Sequence, residues 1–141
     1  MADDLDTFIT ALTGKMAAMA GVAVAPEYPP SALNEFPIVV CYFVRGEFTY
    51  GSSLPAIGVH TVYCDVHLSR SNLPHDEEFA RPYILRGLAA IANEVKMDGT
   101  CQQCILEGYE YGRLSYAGQE TFGVRYILRV KFHHTGVTVA A

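Results

Sequence analysis

The stretch Cys101-Gln102-Gln103-Cys104 has the spacing of half a zinc site or of a dithiol redox centre. A structural zinc ion normally takes four ligands from two such close pairs, whereas the remaining cysteines, Cys41 and Cys64, stand singly in strand-like runs. On a regular strand a three-residue spacing sends Cys101 and Cys104 to opposite faces. His60 and Cys64 share a face, but four strand residues hold them about 13 Å apart, beyond the reach of one ion. Redox pairs of the thioredoxin kind follow a strand and open a helix; this pair follows a helical pattern and opens a strand-like run. The thiols are expected to be buried side chains, with no metal and no cofactor. A small metal-binding or enzymatic domain built on Cys101 and Cys104 is the alternative of a different class.

Other chemistry finds less support. The adjacent His133 and His134 point to opposite sides of a strand. Three acids at Asp76-Glu77-Glu78 are accounted for by the dipole at a helix start. Gly14-Lys15 lacks the rest of a phosphate-binding loop, and neither a G-x-S-x-G elbow nor a G-x-G-x-x-G turn occurs. No enzymatic activity is expected. The basic residues Arg125, Arg129, Lys131 and His133 could line a phosphate-binding face, yet the chain carries a formal net charge of -5, and nucleic-acid binders usually carry a basic excess. Acidic partners such as Glu107, Asp76 or Glu120, in the same fold or on a neighbour, are the simpler reading.

These side chains sit on a chain of 141 residues, half of them hydrophobic and 18% charged, long enough for one domain over residues 1–141 with a substantial core. The apolar run from Met16 to Ala25 is too short to span a bilayer. Asp3, Asp4 and Asp6 stand where a secretion signal needs positive charge. The expectation is a soluble domain with no membrane partner.

Leu5, Phe8, Ile9, Leu12, Met16 and Met19 follow helical spacing, which predicts a helix from Asp4 to Ala20. The prolines of Ala25-Pro26-Glu27-Tyr28-Pro29-Pro30 force an extended connection. Phe36 to Val44 and Ile57 to Ser69 read as antiparallel strands, with Val62, Cys64, Val66 and Leu68 sharing a face. The segment between them, Arg45 to Ala56, reads as a long loop carrying Phe48, Tyr50 and Leu54. Leu73-Pro74 precedes a second helix, whose regular part is expected from Pro82 to Val95 with Tyr83 or Ile84, Leu88, Ile91 and Val95 inward. Asp98-Gly99 ends it, and Cys101 to Tyr111 is a third strand. The turn Tyr116 to Glu120 leads into Phe122 to His133, where apolar and largely cationic residues alternate. The fold class is α+β: a mainly antiparallel four-stranded sheet with two helices on one face, in the order α-β-β-α-β-β.

With these features in place, the chain resembles the tail terminator family of long-tailed bacteriophages, also called tail completion or U-type minor tail proteins. The resemblance is carried by the N-terminal amphipathic helix, the Val24 to Pro30 stretch, the long strand Val59 to Ser69 and Leu73-Pro74 ahead of a helix. It continues through Tyr116-Ala117-Gly118, Phe122-Gly123-Val124 and Arg129-Val130-Lys131.

The resemblance implies a structural virion protein of the tail's neck region, assembled in the host cytoplasm. It implies a homo-oligomeric ring, typically of six, that caps the tail tube protein, stops its polymerisation and meets the head-tail connector or stopper. Genomic DNA then passes through the bore without specific binding. Another head-tail neck component or a tube subunit is the nearest alternative. The contact candidates follow from physical grounds: Phe48 and Tyr50 as anchors with Glu47 beside them, and Arg125, Arg129 and Lys131, since aromatics and arginines often dominate interfaces.

Overall fold

The computed structural model describes residues 5–50, 56–69 and 75–134. Phe8, Ile9, Leu12 and Met16, spaced by three and four, form the buried stripe of α1 (Leu5–Ala17). The chain continues through β1 (Ile38–Tyr50), β2 (Ala56–Ser69), α2 (His75–Ile91), β3 (Gln103–Tyr116) and β4 (Gln119–His134). The α+β class and the α-β-β-α-β-β order are as the sequence predicts. β1 with β2 and β3 with β4 form hairpins, and β2 joins β4, so a fully antiparallel sheet runs in the order β1-β2-β4-β3. No helix among the described residues is long and apolar enough to cross a membrane.

The alternation in β4 sets the core. Phe122, Val124, Tyr126, Leu128, Val130 and Phe132 are all buried, and they meet Val62, Cys64, Val66 and Leu68 of β2 and the inner stripes of both helices. Each such side chain stabilises the fold by roughly 1.5–3 kcal/mol through burial. Tyr126 fixes α2: its ring lies against Gly87, where a side chain would collide with it, and its hydroxyl donates to the Tyr83 carbonyl. The Tyr83 hydroxyl donates in turn to the Gly21 carbonyl at 3.0 Å, and Lys15 Nζ lies 3.3 Å from Glu94 and 3.4 Å from Asp98. These contacts join α1 to α2.

Several boundaries differ from the sequence reading. Gly46 does not stop β1. It pairs with His60, whose ring occupies the place of a side chain there, and a bulge at Val44 absorbs the irregularity. Glu47 and Phe48 therefore belong to a strand and not to a loop. Tyr50 ends that strand, but its side chain, like Leu54 and Leu73-Pro74, lies outside the described residues. β3 passes through Gly112, at φ 137°, and ends at Tyr116 rather than Tyr111. Ala117 and Gly118 both have positive φ, the type I′ arrangement that suits a tight hairpin. Pro82 lies inside α2 on its exposed side instead of opening it. The helix accordingly ends at Ile91, and Leu88 and Val95, expected inward, are each 46% exposed.

Gly123 faces its partner Gly112 across the β3–β4 ladder, and a Cβ on it would meet the Val66 carbonyl oxygen of β2. Backbone in the sheet interior cannot swing aside as a flexible side chain can. Gly123→Ala should therefore cost about 3 kcal/mol, read as a lower urea midpoint with little change in slope.

Candidate functional site

The helices cover one face of the sheet; the opposite face is divided. At one end the extended segment before β1 lies across it, burying Leu33, Ile38 and Val40 with Val24, Phe36, Tyr42 and Tyr116 around them. Val24 bridges to Ile38, the Gln119 side chain brackets the backbone of Leu33 at 3.4 and 3.3 Å, and the Tyr116 hydroxyl donates to the Pro30 carbonyl. The tyrosine-proline stretch and the Tyr116-Gly118 turn, distant in sequence, are thus in contact.

At the other end no described residue covers the strands. The register aligns Arg45 of β1, Thr61 of β2, Arg129 of β4 and Ile105 of β3 across the sheet, and next to them Glu47, Val59, Lys131 and Gln103. Residues opposite one another share a face, so Glu47, Arg129 and Lys131 are brought onto one surface. Phe48 alternates to the helix side, where its ring lies 5.5 Å from that of His60. Arg129 reaches Glu107 at 3.5 Å in an exposed pair, one of the acidic partners expected from the sequence.

Arg125 has a different situation. Its Nε lies 2.8 Å and its Nη2 3.2 Å from the two oxygens of Asp65, a buried carboxylate that also accepts a 2.6 Å hydrogen bond from Tyr42. The guanidinium sits 4.7 Å over the Tyr63 ring. Hydrogen bonding to Asp65 raises the Arg125 pKa above its ordinary value, and burial, then the Asp65 bond, raises that of Tyr42. Arg125 thus spends its charge inside the subunit, on a partner other than Glu107, Asp76 or Glu120. The sequence reading missed Asp65 because it lies sixty residues from Arg125, and only strand register joins them. Arg45 was missed as a strand end, although the alternation of Arg45, Glu47 and Thr49 with Gly46, Phe48 and Tyr50 signalled a continuing strand.

All four cysteines are buried. Cys101 precedes β3, so strand alternation does not reach it, and it packs into the same core as Cys104 instead of facing away. Cys41 and Cys64, read as isolated, are direct cross-strand partners. Burial pushes the Cys64 thiol well up and that of Cys104 up to about 12, opposite to what a thiolate ligand or nucleophile requires. Among the described residues no three His, Cys, Asp or Glu side chains group as a metal site would. Shallow hollows of about 480 and 350 Å³ beside α1 are lined by neither histidine nor cysteine. Compared with protein-family models and with curated proteins, the sequence matches none.

Two predictions follow from the polar groups here. Asp65→Asn leaves Arg125 with a poorer partner in a buried setting and should cost about 3 kcal/mol, whereas Glu107→Gln, at an exposed pair, should change stability by less than about 1 kcal/mol; urea unfolding measures both. The second concerns His67, which is fully buried with Nδ1 2.6 Å from Thr121 Oγ1, its ring against Tyr116, and Nε2 lacking a partner among the described residues. Burial lowers its pKa from 6.5, Asp65 opposing and Arg125 assisting. Below 6.5 the unfolded imidazole takes a proton that the folded one refuses, so stability should decline as pH falls from that value to the folded one. His67→Gln should flatten the stability profile over this acidic window, a comparison made by unfolding at each pH.

Proposed function

We propose that this chain is a structural subunit of a bacteriophage tail, closing as a ring, six-membered in the family it resembles, on the end of the tail tube. The ring ends tube polymerisation and offers its far side to the head connector or stopper, and the genome passes through the bore without sequence-specific contact. The observation that carries this reading is the uncovered end of the sheet. There Arg45, Glu47, Arg129 and Lys131 lie among Ile57, Val59, Ile105 and Ile127 on one extended surface. A broad face of mixed charge with apolar groups between suits protein contact better than it suits a small ligand, which prefers a concave pocket. The acidic balance of the chain is compatible with DNA passing without adhesion.

The test is to add purified protein to polymerising tail-tube protein and measure tube lengths by electron microscopy. Shortened tubes bearing a ring at one end are the expected result. Copolymerisation into long tubes would instead make the chain a tube subunit, and a persistent monomer that leaves tube length unchanged would overturn the assembly reading.

A further inference from the structure

The two outer strands carry features that the ring reading leaves unused. β1 is covered by Val24 only at its start, through the Val39 amide, and β3 is capped only where the Cys104 amide meets the Val95 carbonyl at 2.6 Å. Beyond these points no described strand pairs with the outside of either. Such edges present rows of backbone donors and acceptors that another chain can complete.

Beside the β3 edge runs an apolar strip. Tyr109 and Tyr111 register with Tyr126 and Val124, so they lie on the helix-facing side of the sheet, yet both are close to half exposed. α2 supplies Leu85, 70% exposed, and Leu88, with Val95 following the helix. Arg86 bonds the Ala20 carbonyl just after α1, and Glu94, just after α2, meets Lys15 of α1; Ile84 and Leu88 lie one turn apart on a different flank of α2, and Val95 stands beside the start of β3, where its carbonyl meets the Cys104 amide. The β1 edge carries its own exposed apolar groups, Val44 and Phe48, the latter 52% exposed.

We propose that the outer edge of β3, with this strip, receives the outer edge of β1 from a second copy, and that the contact repeated head to tail closes the ring; this rests on the ring reading above. Direction favours it. All three strand pairings are antiparallel, so β1 and β3 run opposite ways. Copies related by rotation about an axis to which the strands are tilted, as in a closed barrel, then bring β3 of one against β1 of the next in antiparallel fashion, extending the sheet with the same kind of ladder. Charge favours it as well: Arg45 on β1 and Glu110 on β3 are both exposed, and both lie on the face opposite the helices, since they register with Thr61 and Arg125. Within one sheet Arg45 is level with Ile105 and Glu110 with Val40, so the contact requires the stagger of a tilted, closed sheet to make up that offset and set the two opposite each other. A foreign peptide needs one edge only; a copy of this chain uses both.

The experiment compares the full chain with Arg45→Glu, Glu110→Arg, the double exchange and the exposed-strip variant Leu88→Lys. Assembly is read by light scattering after gel filtration and by electron microscopy, with and without tail tubes. Each single variant should keep its fold by circular dichroism and weaken assembly about tenfold or more. The double exchange should recover most of the charge loss. If the wild type assembles and the single variants assemble equally well, the edge contact is wrong and the ring reading stands. If the double exchange recovers nothing, the Arg45–Glu110 pairing is wrong. A wild type that remains monomeric even on tubes overturns both the edge contact and the ring.

Discussion

The position of α2 over Tyr126 is the contact on which the rest of the molecule depends. A buried tyrosine brings an apolar ring and a hydroxyl that must find a partner, and β4 presents both to the middle of the helix. Gly87 gives the ring room, and the Tyr83 carbonyl accepts the hydroxyl. The helix is thereby drawn over β4, touching β2 and β3 on either side, and Tyr83 reaches on to Gly21 beyond the end of α1. A helix centred there covers the outer strand β3 only in part. Tyr109, Tyr111 and Leu88 are left at the margin of the core, close to half exposed, and Leu85 lies mostly in solvent. The exposed strip is a geometric consequence of where the helix is anchored.

The second face of the sheet follows from a similar choice. The segment before β1 is long enough to cover one end only, and it is held there by Tyr116, Gln119 and the Val24 bridge. At the boundary between covered and open ends sits the Asp65–Arg125 pair, with Tyr42 and Tyr63. A single charge removed from water at that boundary would be costly; a bidentate pair with a further donor satisfies both groups. The cationic side of β4 therefore resolves into an internal cation and exposed ones further along, and the exposed ones lie where no covering segment reaches.

How much of this was legible in the sequence depended on whether the signal was local. The alternation from Phe122 to Phe132 and the stripe Phe8, Ile9, Leu12 and Met16 are periodic patterns, and each named its buried face correctly. Gly46 misled because glycine commonly marks a turn, whereas here it makes room for the His60 ring; β3 likewise continues past Tyr111 through Gly112, which allows a positive φ inside a strand. Pro82 lacks an amide and so suits a helix start, but α2 accommodates it within. The partners of Arg125 and of Cys41 lie across strands, and register is set by tertiary packing rather than by any nearby residue. Glu47, Phe48, Arg129 and Lys131 were identifiable by type, but not the fact that Phe48 faces away from the other three.

Open edges raise a question of specificity, because a long unprotected strand would pair with any other. Both outer strands carry devices that limit this. Each has one bulge, with Val44 extra on β1 and Glu107 extra on β3, and a bulge bends and twists the strand so that a flat partner does not fit along its length. Charged side chains, Arg45 and Glu47 on one and Glu107 and Glu110 on the other, penalise a partner of the wrong sign. An edge so marked accepts a strand that matches it in twist, in bulge position and in charge. The same chain supplies one strand of each kind on opposite sides of a single rigid sheet, so the angle between successive contacts is fixed by the sheet itself. A repeated contact closes into a ring when its rotation divides a full turn without a rise along the axis, and otherwise continues as a filament; the ring proposed above rests on the first of these.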